Sequence, residues 1–204
     1  KGDGCVTVVS NASLGWLTHH PLMRMTTAVT VYANGVMSID ADSRITDKRP
    51  SLPRFGLRLM LPSTYDTANY LGYGPYDSYA DKHHSTWWGH FTEQIDQARE
   101  NHIKPQESGS HMGCTEVTLS GAGKSLRFTA DAPFSFSFSR YTQEELTSKR
   151  HHYELQPSEY AVLCLDAKMA GIGSNSCGPA LDPLYQVNEK KMHFCFHMKP
   201  IDRK

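Results

Sequence analysis

With 204 residues, 39% of them hydrophobic and 21% charged, the chain has enough apolar material for a folded core and is too evenly mixed for a disordered tail. Lysine plus arginine equals aspartate plus glutamate at 21 each, so no surplus of positive charge exists to track a phosphate backbone or an anionic membrane. No apolar run approaches the roughly 20 residues of a membrane span, so neither nucleic acid nor membrane is an expected partner.

The start, Lys1-Gly2-Asp3-Gly4, resembles neither an initiator nor a signal peptide, and the chain is expected to be a piece of something longer. Five cysteines (Cys5, Cys114, Cys164, Cys177, Cys195) are odd in number and widely spaced, with no CxxC pair, which predicts free thiols. Free thiols favour the cytoplasm, with the periplasm as the alternative.

In chain order, residues 28–33 and 36–41 flank Asn34-Gly35, a strong hairpin signal, because both residues tolerate the positive φ of a type I′ turn. Phe55, Leu57, Leu59 and Leu61 alternate with Gly56, Arg58 and Met60 and predict a strand with one apolar face. Trp88, Phe91, Ile95, Ala98 and His102 recur at spacings of three and four behind Ser85, so periodicity alone predicts a helix over 86–101. Phe134, Phe136 and Phe138 alternate with serines and predict a core stripe on a strand. Thr142-Gln143-Glu144-Glu145 has capping-box spacing and predicts a short helix. Strands follow over 160–166 and 192–198. Between them, residues 167–183 are rich in Gly, Ser, Asn and Pro, and a loop of that length is more often functional than idle.

The candidate chemistries are sparse. Pairs such as His19-His20, His83-His84 and His151-His152 put adjacent rings on opposite faces if they lie on strands, which does not suit one ion. His193, Cys195 and His197 share one strand face and suit zinc by type, but with no fourth ligand in sequence reach they read as an alternating strand, and no metal ligand is assigned. No GxSxG elbow is present, and Gly171-Ile172-Gly173-Ser174 opens no helix that would make it a phosphate loop. Glu107, Glu154, Asp166 and Asp182 have no context that would choose a catalytic pair.

Three stretches carry a resemblance. Leu71-Gly72-Tyr73-Gly74-Pro75-Tyr76-Asp77-Ser78-Tyr79-Ala80-Asp81-Lys82 resembles the "G-x-GP-x-E/D-x-Y-x-D-R/K" signature of the C-terminal domain of family-two β-galactosidases. Pro105-Gln106-Glu107-Ser108-Gly109 is similar to that family's "PQENG", with Ser108 for the usual Asn. Phe136-Ser137-Phe138-Ser139-Arg140-Tyr141-Thr142, His152-Tyr153-Glu154-Leu155, Leu165-Asp166 and Gly171-Ile172-Gly173-Ser174-Asn175-Ser176-Cys177-Gly178-Pro179 follow in the family's order. The match covers 52–200 and is loose over 1–51.

This resemblance implies an all-β fold: a large antiparallel β-sandwich of the galactose-mutarotase-like (supersandwich) type, N-terminally truncated, forming a single domain over 1–204. It also implies that the 86–101 region is extended rather than helical. Both catalytic glutamates of the retaining parent enzyme would lie in a preceding barrel domain, so this chain has no catalytic residue and is expected to be inactive alone. Magnesium, and in some members sodium, is implied for the parent but for no residue here. The implied partners are that barrel domain, a galactoside or acceptor sugar, and further copies of the parent in a homo-oligomer. Cys177, where relatives carry Trp or Cys at the acceptor rim, is the first substrate-binding candidate, followed by Asn175 and Ser176. Tyr73, Tyr76 and Tyr79 are expected to pack a turn rather than to stack on sugar. The alternative is a stand-alone carbohydrate-binding or sugar-epimerising sandwich, which would need a His acid and a Glu base across one pocket.

Overall fold

Alternation of apolar and polar residues between Gly, Pro and Asn breaks produces antiparallel ladders along most of the chain. The structure is a computed structural model in which residues 4–15, 20–46, 51–173 and 179–201 are described. Among them ten strands form: β1 (Cys5–Leu14), β2 (Met23–Tyr32), β3 (Met37–Ile45), β4 (Arg54–Pro62), β5 (Thr67–Gly74), β6 (Trp87–Gln94), β7 (Ser110–Gly121), β8 (Lys124–Ser139), β9 (Tyr160–Met169) and β10 (Lys191–Ile201). A short helix, α1 (Gln143–Ser148), follows β8.

The strands connect in the order β1-β2-β3-β10-β8-β7-β5-β6, and the β4-β9 pair branches from β8. Strand β8 makes this branching possible. Its residues 125–130 pair with β10, whereas 135–139 pair with β9. Register shifts in β7 beside His111 and Cys114 are bulges that let the long β7-β8 ribbon bend between the two layers. Phe55 of β4 meets Phe194 of β10 with ring centroids 5.2 Å apart, and Phe134 meets Phe196 edge-on at 5.4 Å. The β4-β9 layer therefore folds over the β3-β10-β8 layer, and the core lies between them. Phe134, Phe136 and Phe138 are all buried in it, as the alternation predicts. The expectation of an antiparallel all-β sandwich holds.

Three local expectations meet different outcomes. The predicted helix over 86–101 is overturned: β6 pairs with β5 along its whole length, with Tyr70 opposite Phe91, and turns follow it. Aromatic residues with strong β-propensity occupy the strand, while Ile95 and Ala98 are buried from the turns beyond it. The helical spacing therefore arises from two different structures in succession.

The hairpin of β2 and β3 forms where expected, but its turn differs. Gly35 has φ +79° while Ala33 and Asn34 keep negative φ, and Gly35 N–H donates to the Tyr32 carbonyl (2.9 Å). This is the longer type I turn with a glycine bulge. A two-residue turn with both φ positive occurs instead at Ala122-Gly123, between β7 and β8. Helix α1 starts where its cap predicts, with Glu145 N–H donating to Thr142 Oγ1 (3.1 Å). The Glu145 side chain accepts from Gln156 N–H (2.8 Å), so it ties the helix to the segment entering β9.

Candidate functional site

Strands β4 and β9 place Arg54 beside Asp166, a separation of 112 residues in sequence. Arg54 Nε and Nη2 donate to the two carboxylate oxygens of Asp166 at 3.1 and 2.8 Å, a bidentate contact, and Nη1 reaches Glu107 Oε2 at 3.4 Å. Burial pushes the Asp166 carboxyl up to about 6, and Arg54 opposes that shift without cancelling it. Burial alone would lower the Arg54 pKa, but the Asp166 and Glu107 charges outweigh it, so the guanidinium stays charged.

Glu107 links this pair to the second motif. Tyr79 is buried and donates its hydroxyl to Glu107 Oε1 at 3.4 Å, while Ser110 N–H donates to the Tyr79 oxygen at 3.3 Å. Burial first, and then the Glu107 and Asp77 charges, raise the Tyr79 pKa, so its phenol is a donor at any physiological pH. Asp77, also buried, pairs with Lys82 Nζ at 2.7 Å and accepts from Gly109 N–H at 3.3 Å. Gly109 must be glycine: its φ is +74°, and a Cβ there would collide with the Ala98 carbonyl.

Asp81 controls the third motif. Its Oδ1 accepts from Ile172 N–H at 3.0 Å and its Oδ2 from Gly173 N–H at 2.8 Å. A side chain on Gly171 would occupy the space of the Asp81 carboxylate, so Gly171 allows this grip. Behind it, Ala170 N–H donates to the Pro53 carbonyl and Gly171 N–H to the Tyr185 carbonyl, at 3.0 and 2.9 Å. The loop leaving β9 is thus fixed at its root by three separate segments.

The three motifs converge on one hollow of about 730 Å³, lined among others by Arg54, Asp77, Lys82, Gln106, Glu107 and Ile172. Donors and acceptors with a partly apolar wall suit a neutral polyol better than an anion, because the cations are already paired with carboxylates. A second hollow, about 620 Å³, opens over β1, β2, β3 and β10 beside Arg24, Asp42 and Lys191 and holds none of the motif residues. The chemistry therefore points to the first.

Cys177, Asn175 and Ser176 lie outside the described residues, just beyond the fixed root at Gly173. Of the four carboxylates without sequence context, Glu107 and Asp166 meet at Arg54. Glu154 caps a short 3-10 turn through the N–H groups of Arg150 and His151, and Asp182 caps another through Leu184 N–H. Tyr79 packs the turn as expected and Tyr73 is half-buried, but Tyr76 is exposed. His83 and His84 lie in a turn, not a strand, with stacked rings 4.7 Å apart. A His-Glu pair does occur: His111 Nε2 lies 3.2 Å from Glu93 Oε2, with Tyr70 OH at 3.1 Å from Nδ1. His111 is buried in the core, and neither residue lines the motif hollow. Arg54 escaped sequence reasoning, since its partner is so distant; Asp81 was legible only as a motif letter.

Comparison with known proteins agrees with the converged motifs. The family model described as "Beta galactosidase small chain" matches residues 2–198. A β-galactosidase of Actinobacillus pleuropneumoniae is 44% identical over 168 residues, covering 82% of this chain and 16% of the relative. One from Staphylococcus xylosus is 37% identical over 179 residues, covering 88% and 18%. The chain thus spans about a sixth of the length of these relatives. A solved GalM/aldose epimerase homologue from C. elegans aligns with 98% of this chain and 66% of its own at 8% identity, with a TM-score of 0.45, too low to carry a functional argument. Among the described residues no helix is long and apolar enough to cross a membrane. On the match across nearly its whole length, the chain belongs to the beta galactosidase small-chain family.

Proposed function

We propose that this chain is the non-catalytic, acceptor-side part of an enzyme that hydrolyses terminal β-galactosides such as lactose with retention. In that chemistry one carboxylic acid protonates the leaving oxygen, and a carboxylate forms the covalent galactosyl intermediate. Both belong to a catalytic barrel elsewhere in the parent. The supporting observation is the Asp81 grip, by which the first motif holds the Ile172 and Gly173 N–H groups where the chain leaves β9. A loop anchored so firmly at its root can present Cys177, with Asn175 and Ser176 beside it, to the leaving sugar.

Magnesium we assign to the rest of the parent. The carboxylates of the hollow do not fit a magnesium site, because Asp166 and Glu107 are paired with Arg54, and Asp77 with Lys82. What these side chains do is hold the motifs in place.

The test is substitution of Cys177 in the parent enzyme. Cys177→Trp adds a stacking surface worth on the order of 1 kcal/mol for a glucose-like acceptor. It should tighten glucose inhibition and change the ratio of transfer to hydrolysis, with galactose inhibition unchanged. Cys177→Ala should leave the first, galactosyl-forming step on an aryl galactoside close to wild type. Unchanged glucose inhibition and transfer ratio in both variants would remove Cys177 from the site.

A further inference from the structure

Strand β10 buries Phe194 and Phe196 on one face and turns His193, Cys195 and His197 to the other. Its ladders decide what those three residues meet. Toward β3, Cys195 lies opposite Asp40 and His197 opposite Ser38. Toward β8, Phe196 lies opposite Ala130, which brings Asp131 alongside Cys195. The sequence hides this arrangement, because Asp131 and His197 are 66 positions apart.

His197 Nε2 is 3.1 Å from Asp131 Oδ1 and 3.8 Å from Cys195 Sγ, and donor atoms of all three lie within 4.8 Å of one another. On its far side, His197 Nδ1 sits 2.8 Å from Ser38 Oγ. That contact orients the ring and leaves Nε2 for the cluster, as outer partners of metal-bound histidines do. A tetrahedral zinc ion, with bonds of about 2.0–2.3 Å, separates neighbouring ligand atoms by about 3.3–3.6 Å. The two closer distances bracket that interval, and the exposed Asp131 side chain has room to swing toward the thiol. A second His-carboxylate pair, His193 Nε2 to Asp40 Oδ2 at 3.2 Å, lies beside the first on the same face.

We propose that Asp131, Cys195 and His197 form a binding site for a zinc-class divalent ion, a site separate from the motif hollow and independent of the galactosidase reading. One thiolate, one imidazole and one carboxylate bind the ion, water fills the remaining position, and the Cys195 thiol proton leaves to solvent as the sulfur–metal bond forms. An ion there joins β8 to β10, the strand pair at which the two layers part.

Titration of the full chain, reduced and stripped of metal, with cobalt(II) tests the site, because a thiolate–cobalt contact gives a charge-transfer band. One equivalent should develop the band, and zinc should abolish it by displacement. Cys195→Ser should eliminate the band, and Asp131→Asn or His197→Gln should weaken cobalt binding about tenfold or more. Cys5→Ser, at the exposed competing thiol, should retain it. Asp131 is exposed, so its substitution keeps the test valid if Cys195→Ser disturbs the fold. Absence of a band in the wild-type chain, or a band that survives Cys195→Ser, overturns the proposal.

Discussion

Arg54 and Asp166 show how a single pair can organise a surface. Asp166 is buried, and burial raises its carboxyl to about 6 because it disfavours the charge more than Arg54 restores it. A carboxyl with a higher pKa in the folded than in the unfolded chain takes up a proton on folding. Its stabilising contribution is full below pH about 4 and disappears as the pH rises through about 6. Relative to Asp166→Asn, the wild-type chain should therefore lose stability as the pH rises between about 4 and about 6. Urea unfolding of both proteins at several pH values measures this; parallel curves, or a wild-type gain over that interval, would contradict it. The sequence marks Asp166 only as a motif letter and Arg54 as an ordinary strand residue. A partner on a neighbouring strand 112 residues away leaves no local spacing to detect.

At the level of elements, local alternation was a reliable guide and periodicity alone was not. The Phe134, Phe136, Phe138 stripe and the Thr142 cap were legible because neighbours in sequence decide them. The 86–101 segment misled because Phe91 belongs to a strand, while Ile95 and Ala98 enter the core from turns. The Asn34-Gly35 hairpin was legible, but its turn type was not, since Asn tolerates negative φ as readily as positive.

Strand β1 raises a different matter. Among the described residues it pairs only with β2, all ten of its residues are exposed, and Val6, Val8 and Val9 are 60–67% open to solvent. An apolar strand with a free edge invites pairing with another chain. The chain alone should self-associate with rising concentration, and Val8→Lys should reduce that association. Sedimentation over a concentration series reads both; a wild-type chain that stays monomeric at the highest concentration would refute the expectation.

For the whole molecule, the fold class was legible in alternation and turn residues, and the family in motif order. The site was legible only as three separate strings. What brings them together is the pairing of β4 with β9, which sets Arg54 beside Asp166, and the reach of Arg54 to Glu107 at the edge of the hollow between the motifs. Asp81 then fastens Ile172 and Gly173 to that architecture, accepting from their two backbone N–H groups with one carboxylate. If the chain serves the acceptor side of a β-galactosidase, releasing this grip should impair natural disaccharides more than substrates whose leaving group needs few contacts.

The most direct measurement is kcat/KM of the parent enzyme carrying Asp81→Ala, with lactose and with an aryl galactoside side by side. The expected result is a loss of about tenfold on lactose, about 1.4 kcal/mol of transition-state stabilisation, and less than about threefold on the aryl galactoside. Equal losses on both substrates, or none on either, would contradict it.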